Sequence, residues 1–434
     1  MKLANFLLCA LAACLVALYF SGCSGSNVTK ITMLNMKIEQ TEALQKAINE
    51  YKKVNDDAEI VLETYGGSQD HHVPLKAKMQ SDPPVIFPLT GINDLYDYME
   101  TIDVLNDQNC ISLCQSSVTQ DVTVDGKIYG IPITIEGYGY LVNTKMFESA
   151  GVDVMSMYTF EGMKAGFTKL KQKIDSGSLK SEFPELKAVF AMPAKETWVI
   201  GEHAIAPILQ KDFANAKEIF AAKTIPFKGA ELYKQMIDFQ VSFTDCSNNP
   251  SALTSVDYAA ALNQGFLMGK YAVIQQGNWI ESLVKNQDPD MLDNIDMIPY
   301  NLPDGSTDGK FVVGPSGYWA VNKNASEDQI ALAKDFLNWL YTSDEGKYIL
   351  TKDANFILPT GYAEVKGLSK FHKRIYDAFK SGDSIPLSLI NAVPTSWSQN
   401  VAGANVQNYL SGGDWNSLID NMKNRWREIR AIKN

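Results

Sequence analysis

A short apolar strand, framed by two glycines and followed by a tryptophan, constrains the fold more than any other part of the sequence. Gly269 fits the left-handed position that ends a helix, and residues 271–274 are short, apolar and partly β-branched, as buried strands are. Gly277 leaves room for the close approach of a ligand or another backbone. Trp279 follows at the strand end, where ligands bind in open α/β sheets. The segment predicts a ligand site at Trp279, with a purely structural core as the alternative.

Strands and helices alternate along much of the chain. Residues 30–36, 59–65 and 84–87 have the composition of short strands, and residues 43–51 carry apolar side chains at helical spacing. This order predicts a parallel sheet with helices on both faces. Residues 129–143 form an apolar run that is broken by glycines and contains one acidic residue, Glu136, which fits a strand crossing between two lobes.

Local signals predict where several elements begin. Asp125-Gly126 lies between two short runs of strand-forming residues and predicts a hairpin. Ser326 is followed three residues later by Gln329, which is the pattern of a capping box at a helix start. Apolar residues recur at helical spacing over residues 415–429, so the chain should end in an amphipathic helix.

The length and charge of the chain narrow its class. Two lobes are expected for 434 residues, because single cores stop growing at about 250–300 residues. With 39 basic and 50 acidic residues the formal net charge is −11, which argues against a nucleic-acid partner. There are only four histidines, and the adjacent His71 and His72 cannot easily face one metal ion. We therefore expect no metal site and no cofactor.

The first residues indicate export. Lys2 precedes an uncharged apolar run that ends at Phe20 and is shorter than the about 20 residues of a membrane span, which is typical of a signal peptide. Ser21-Gly22-Cys23 resembles the bacterial lipobox, in which the cysteine receives a diacylglyceryl group, although Phe20 departs from the usual aliphatic residue. We expect a signal peptide over 1–22, lipidation of Cys23, and a tether over 23–29 that holds the protein at the extracytoplasmic face of the cell membrane. The alternative is an ordinary cleavage site with a chance cysteine.

Three further cysteines remain in the exported part of the chain: Cys110, Cys114 and Cys246. A disulfide between Cys110 and Cys114 is one interpretation for an exported protein, and small buried side chains are the other. The odd number gives no disulfide framework.

The order of these landmarks resembles the extracellular solute-binding proteins of bacterial ABC importers, in the family 1 branch that includes maltodextrin- and oligosaccharide-binding proteins. The resemblance is carried by F-x-x-G-K-x-A-x-x-x-x-G-x-W at 266–279, Y-G-I-P at 129–132, Y-L-V-N at 140–143, W-A-V at 319–321 and T-S-D-E-G at 342–346. It implies a periplasmic-binding-protein-like α/β fold with two doubly wound lobes joined by crossover hinge segments near 137–142, 296–310 and 357–362. Lobe 1 would hold residues 30–137 and 300–357, and lobe 2 residues 138–299 and 358–434.

Matched position by position, the resemblance implies ligand contacts at Trp279, Glu136, Trp198, Trp397, Asn278, Asp94, Asn93, Asp70, Gln69, Glu196 and Gln40. Aromatic rings would cover the C–H faces of a sugar, and carboxylates and amides would bind its hydroxyls. Each residue has a structural alternative: a tryptophan in a core, a carboxylate satisfied by backbone, or a loop residue in a solvated turn.

The implied function is that of a monomeric binding lipoprotein, not an enzyme, which captures an oligosaccharide and delivers it to the permease subunits of an ABC transporter. A surface-anchored glycan hydrolase is one alternative, but it needs two carboxylates about 5–10 Å apart, and no local motif supports such a pair. A binding protein for a non-sugar ligand such as a polyamine is another, because acidic loops with aromatic residues also hold cations.

Overall fold

The computed structural model describes residues 28–65, 72–360 and 368–432. Its strands are β1 (Thr29–Asn35), β2 (Ala58–Thr64), β3 (Ile86–Leu89), β4 (Thr123–Val124), β5 (Lys127–Ile128), β6 (Ile131–Pro132), β7 (Ile135–Asn143), β8 (Ala188–Ala191), β9 (Tyr271–Gly277), β10 (Ile295–Ile298), β11 (Val312–Pro315), β12 (Tyr318–Val321) and β13 (Ile385–Pro386).

The α-helices are α1 (Thr41–Tyr51), α2 (His72–Ser81), α3 (Ile92–Tyr98), α4 (Asn109–Ser112), α5 (Ser116–Thr119), α6 (Thr144–Ser149), α7 (Phe160–Asp175), α8 (Ala204–Leu209), α9 (Ala216–Ala221), α10 (Ala230–Ser242), α11 (Tyr258–Ala261), α12 (Glu281–Gln287), α13 (Glu327–Thr342), α14 (Asp344–Tyr348), α15 (Lys370–Ser381), α16 (Ser388–Asn391), α17 (Ala404–Leu410) and α18 (Trp415–Ile432). Wider π-helical turns occur at Trp198–His203, Leu262–Phe266, Ile349–Asp353 and Ser398–Gly403.

The first main sheet has the strand order β2-β1-β3-β12-β6. β1 runs parallel to β2 and β3, as the sequence predicts, and β12 runs antiparallel to β3 and β6. Helices α1 and α13 contact β1 or β2 and pack their apolar faces into one core with Trp319. The capping box is confirmed, because Ser326 and Gln329 bond each other's backbone N–H at the start of α13.

The second main sheet has the order β13-β11-β7-β9-β8, and β10 also pairs with β7. All nine residues of β7 are buried, and its neighbours β9, β10 and β11 run antiparallel to it. Among the described strands of this sheet only the β8–β9 and β11–β13 pairs are parallel, so its centre is antiparallel, in contrast to the parallel pairing of β1 in the first sheet. The hairpin at Asp125-Gly126 is confirmed as the β4–β5 turn.

The chain passes between the two main sheets at three places that lie side by side. The backbone N–H of Ser316 donates to the Thr134 carbonyl at 3.0 Å, and the N–H of Ile133 donates to the Gly317 carbonyl at 2.9 Å. The N–H of Ile135 donates to the Ile357 carbonyl at 2.9 Å, which joins the third passage to the other two. These hydrogen bonds make the three passages one narrow connection between two lobes.

Strand pairing corrects the expected lobe ranges in two places. β11 (Val312–Pro315) pairs with β7 and β13 in the second sheet, although residues 300–357 were expected in lobe 1. β7 begins at Ile135, so Glu136 lies in the second sheet and not at the end of lobe 1. The first two passages are therefore at 133–134 and 316–317. A short apolar run is compatible with either sheet, and only its hydrogen-bond partners decide between them.

The expected signal peptide over 1–22 and the lipidated Cys23 lie outside the described residues, and the last tether residue, Thr29, begins β1. Cys110, Cys114 and Cys246 are free thiols. Burial raises the pKa of both Cys110 and Cys114 to about 12, so these thiols stay protonated. Within the described residues, no helix combines the length and apolar character needed to cross a membrane.

Candidate functional site

A small cleft lies between the two lobes, beside the three chain passages. Its walls are formed by Glu39, Gln40, Thr134, Glu136, Asn278, Trp279, Ser282, Ala354, Asn355 and Phe356. The first lobe contributes the segment after β1 and the turn near Asn355, and the second lobe contributes the start of β7 and the end of β9. Only about 10 Å³ of the cleft can hold a water-sized group, so the cleft is almost closed in this arrangement of the lobes. Typical small-molecule sites enclose about 300–1,000 Å³.

Trp279 lies where β9 ends, as the sequence predicts, and its side chain is half-buried. Its indole N–H donates to the Gln276 side-chain oxygen at 2.9 Å, which fixes the ring orientation. A Cβ at Gly277 would come within 2.1 Å of the Trp279 ring and 2.5 Å of the Gly137 carbonyl. Glycine is therefore needed at 277 to let the ring fold back over β7, and not to admit a ligand directly.

Aromatic rings form a continuous wall behind Trp279. His203 stacks on Tyr138 with ring centroids 4.2 Å apart, and it contacts Trp279 at 5.3 Å and Trp198 at 5.1 Å. Burial lowers the pKa of His203 to about 3, although a hydrogen bond with Gln275 opposes this shift. The imidazole is therefore neutral at physiological pH and acts as one more flat ring of the wall.

His203 was missed by the sequence reasoning, and its position explains why. Trp198 and His203 are the two ends of one π-helical turn, so five residues of separation bring their rings together. The helical spacing of 3.6 residues per turn would have placed them on different faces.

Glu196 and Trp198 lie together at the edge of this wall. The Glu196 carboxylate accepts the Trp198 indole N–H at 3.1 Å and the backbone N–H of Tyr258, also at 3.1 Å. Tyr258 contacts the Trp198 ring with centroids 5.7 Å apart. Glu196 thus orients Trp198 instead of presenting both of its oxygens to the cleft.

Glu136 pairs with a residue that the sequence reasoning did not select. The Lys37 ammonium, from the segment after β1, lies 2.5 Å from the Glu136 carboxylate, so the ion pair joins the two lobes. The same ammonium lies 5.9 Å from the centroid of the Trp279 ring. Burial would lower the pKa of Lys37, but the charges of Glu136 and Glu39 outweigh it and the pKa is raised. A single lysine in a polar loop gives no sequence signal for this placement.

Asn278 and Gln40 are both buried in the cleft wall. The Asn278 side-chain oxygen accepts the Gly137 N–H at 2.9 Å and ties the end of β9 to β7. Gln40 is only 3% exposed, and its side-chain oxygen has no hydrogen-bond partner among the described residues. Gln40 therefore presents an unused acceptor, whereas the oxygen of Asn278 already has a structural role.

Asn93 and Asp94 follow β3 as expected, but the structure gives both side chains protein partners. Asn93 donates to the carbonyls of Asn391 and Val393 at 2.9 and 2.6 Å, and its oxygen accepts from Arg430 at 3.2 Å. The Asp94 carboxylate accepts from the N–H and hydroxyl of Thr90 and lies 3.2 Å from His72. Burial would raise the pKa of Asp94, but His72 and Thr90 outweigh it and the pKa falls well below its usual range.

Trp397 is not part of the cleft, which corrects the sequence expectation. Its ring is fully buried, its N–H donates to the Met422 carbonyl at 2.9 Å, and Trp426 packs against it with centroids 5.0 Å apart. An aromatic residue after a Pro-Thr-Ser loop fits a site or a core equally well, and here the C-terminal helix α18 covers it. Gln69 and Asp70 lie outside the described residues.

The chain matches a known protein family over most of its length. The model of the family described as "Bacterial extracellular solute-binding protein" matches residues 46–369. No curated protein matches the sequence.

Solved structures share the architecture at low sequence identity. A chitin oligosaccharide binding protein has a TM-score of 0.74 at 21% identity, over 93% of this chain and 100% of that one. The GacH receptor of Streptomyces glaucescens, studied with acarbose, has a TM-score of 0.69 at 15% identity, over 93% and 98%. A Bacillus licheniformis sugar transporter in complex with stachyose has a TM-score of 0.68 at 16% identity, over 92% and 100%. The expected periplasmic-binding-protein-like fold is confirmed.

Proposed function

This chain belongs to the bacterial extracellular solute-binding protein family, and we propose that it captures an oligosaccharide in the interlobe cleft and delivers it to the permease subunits of an ABC importer. The observation that carries the proposal is the ring wall of Trp279, His203 and Trp198 beside the buried carboxylate of Glu136.

The chemistry of the cleft suits a sugar. A pyranose ring has C–H faces that pack on flat aromatic surfaces, and hydroxyl edges that need acceptors. Trp279 supplies the half-exposed ring, while Glu136 and the side-chain oxygen of Gln40 supply acceptors. Ser282 and Asn355 line the same cleft, and their side chains bond each other at 2.8 Å. Solved proteins with this fold bind ligands of the same class: one is a chitin oligosaccharide binding protein, and two others are in complex with acarbose and stachyose.

The lobes must separate to admit such a ligand. With about 10 Å³ of space for a water-sized group, the cleft cannot hold even one sugar ring in the present arrangement of the lobes. The three adjacent passages at 133–134, 316–317 and 357 provide a place for hinge rotation, because few residues there would change their backbone angles.

Two alternative functions compete with oligosaccharide binding: a glycan hydrolase and a polyamine-binding protein. The family is one of binding proteins, not of enzymes, so the glycan hydrolase is set aside. A polyamine is kept as a ligand in the binding test. The carboxylates of Glu39, Glu136 and Glu202 attract the Lys37 ammonium, and they would attract the ammonium groups of a polyamine in the same way.

Export and anchoring complete the proposal. Cys23, after the uncharged run that ends at Phe20, would carry the lipid and hold a monomer at the extracytoplasmic face of the membrane. Cys23→Ala expressed in its own host should leave the membrane fraction. Retention of the variant in that fraction would contradict lipidation at this cysteine.

Trp279→Ala tests the site. Loss of the stacked face should weaken sugar binding by about 30- to 150-fold, since burial of one aromatic face contributes about 2–3 kcal/mol. Calorimetric titration with chitin, raffinose-series and malto-oligosaccharides, and with spermidine, identifies the ligand class in the wild type.

The matched control is Trp339→Ala, because Trp339 is a half-buried tryptophan of the first lobe that packs on Tyr51 and Phe336. This control should keep its affinity for the sugar. Tight binding of a sugar by a folded Trp279→Ala protein would contradict the proposed site. Binding of spermidine alone by the wild type would mean that the ligand is a polyamine and not a sugar.

A further inference from the structure

Hydrogen bonds from the side chain of Asn35 fix the backbone of Lys37. The Asn35 side chain accepts the backbone N–H of Lys37 at 3.1 Å and donates to the Lys37 carbonyl at 2.6 Å. Asn35 is fully buried at the end of β1. The backbone of Lys37 is therefore bracketed on both sides, and only its side chain is left to extend across the cleft.

The Lys37 ammonium contacts two groups of the opposite lobe, the Glu136 carboxylate and the Trp279 ring. The ammonium bonds Glu136 at 2.5 Å and lies 5.9 Å from the Trp279 ring centroid, so one cation covers both an acceptor and an aromatic face. Attraction between an ammonium and the face of an indole is favourable within about 6 Å. The Lys37 side chain is 20% exposed and the Glu136 side chain 7%, so water screens the pair only weakly.

We propose that Lys37 is an internal competitor of the ligand: its ammonium occupies the face of Trp279 and the carboxylate of Glu136, and a sugar must displace it to bind. This inference rests on the proposed function, because it concerns the same two groups. It adds a residue that sets affinity without being a required ligand contact.

The physical consequence is a lower apparent affinity. A ligand that binds only when Lys37 is displaced has its affinity reduced by the fraction of molecules in which Trp279 and Glu136 are uncovered. If that fraction is about one tenth, removal of the ammonium should tighten binding about 10-fold. Release of Lys37 would also break a contact between the lobes, so entry of the ligand and separation of the lobes would be coupled.

Lys37→Met removes the charge and keeps most of the apolar stem. We expect about 10-fold tighter binding of the best wild-type oligosaccharide by calorimetric titration. The matched control is Lys46→Met, because Lys46 pairs with Asp353 at 2.6 Å and lies 5.7 Å from the Tyr348 ring. This control has the same combination of carboxylate and aromatic ring, and none of its three residues lines the cleft, so its affinity should equal that of the wild type.

The outcomes separate the inference from the proposed function. Wild-type binding that Lys37→Met leaves unchanged or weakens overturns the competitor alone, and a weakened affinity makes Lys37 an ordinary ligand contact. Binding that appears only in Lys37→Met supports the competitor. Absence of binding in both proteins overturns the proposed function, and the competitor with it.

A measurement without added sugar tests the geometry itself. NMR of the lysine ammonium groups should show one signal shifted by the ring current of Trp279, and Lys37→Met should remove it. In Trp279→Ala the same signal should move to the ordinary lysine position while that of Lys46 stays. If the Lys37 signal is unaffected by Trp279→Ala, the ammonium does not lie on the indole and the inference is wrong.

Discussion

Two of the contacts between the lobes use polar side chains in opposite ways. At the first contact, Lys37 and Glu136 form an ion pair between the lobes, and Glu136 also lines the cleft. At the second, which we call the Asn93 contact, Asn93 of lobe 1 bonds the carbonyls of Asn391 and Val393 and the guanidinium of Arg430 in lobe 2. A Cβ at Gly91 would lie 2.9 Å from the Asn391 Cβ, so the two backbones approach closely there.

The difference shows how a contact between lobes can be told from a ligand site. Every polar group of the Asn93 side chain is bonded to protein, and a ligand would have to break several buried hydrogen bonds to reach it. At the cleft a ligand has to displace one lysine side chain, and the Gln40 oxygen already lacks a partner among the described residues. Buried polar groups need partners, so an unsatisfied or easily exchanged group indicates where a ligand binds.

The largest expected effect is that of Arg430→Met. Arg430 is 6% exposed and donates to the Ile219 and Ala392 carbonyls at 3.2 and 2.6 Å as well as to Asn93. Burial lowers its pKa to about 10, which still leaves it charged. Removing the donor leaves buried acceptors unpaired and should cost about 2–4 kcal/mol of unfolding free energy. A urea melt checks this.

Arg427→Met is the control for that melt, because Arg427 is an exposed arginine of the same helix, and its free energy of unfolding should be unchanged. An equal loss in both variants would mean that the Asn93 contact contributes nothing specific.

A second expected effect concerns pH and His203 in the cleft wall. The folded-state pKa of about 3 lies below the ordinary 6.5, so between these values the unfolded state binds more protons and stability rises with pH. On going from pH 8 to pH 5 the wild type should lose about 2 kcal/mol more than His203→Gln, at 1.36 kcal/mol per pKa unit. Urea melts of both proteins at the two pH values test this. Parallel losses would show that folding does not lower the pKa of His203.

A smaller effect is expected for Asn93→Ala. The variant removes two donors to backbone carbonyls between the lobes and should cost about 1–3 kcal/mol, expressed mainly as a shift towards separated lobes. Small-angle scattering without ligand should give a larger radius of gyration than the wild type.

Asn106→Ala is the matched control, because Asn106 also bonds two backbone groups but only within lobe 1. Its radius should not change. An unchanged radius of gyration for Asn93→Ala would mean that the Lys37–Glu136 pair, and not Asn93, keeps the lobes together.

Much of the local structure could be predicted from the sequence. The strand predicted at 30–36 is Thr29–Asn35, the helix predicted at 415–429 is Trp415–Ile432, and the capping box and the Asp125-Gly126 hairpin are where their residues indicated. These features depend on periodicity and on a few neighbouring side chains, so nearby residues alone determine them.

Placement between distant segments was decided only by the tertiary structure. The sequence placed a tryptophan at the end of β9, and the fold alone brought Lys37 of the segment after β1 onto it. The fold also buried Trp397 beneath α18 and turned Asn93 towards Arg430. Trp279 and Trp397 each lie in or beside a short helical turn, and no local pattern separates a half-exposed ring from a buried one. That distinction depends on which element of the folded chain lies over each ring: helix α18 covers Trp397, whereas the side chain of Lys37 from the segment after β1 lies over Trp279.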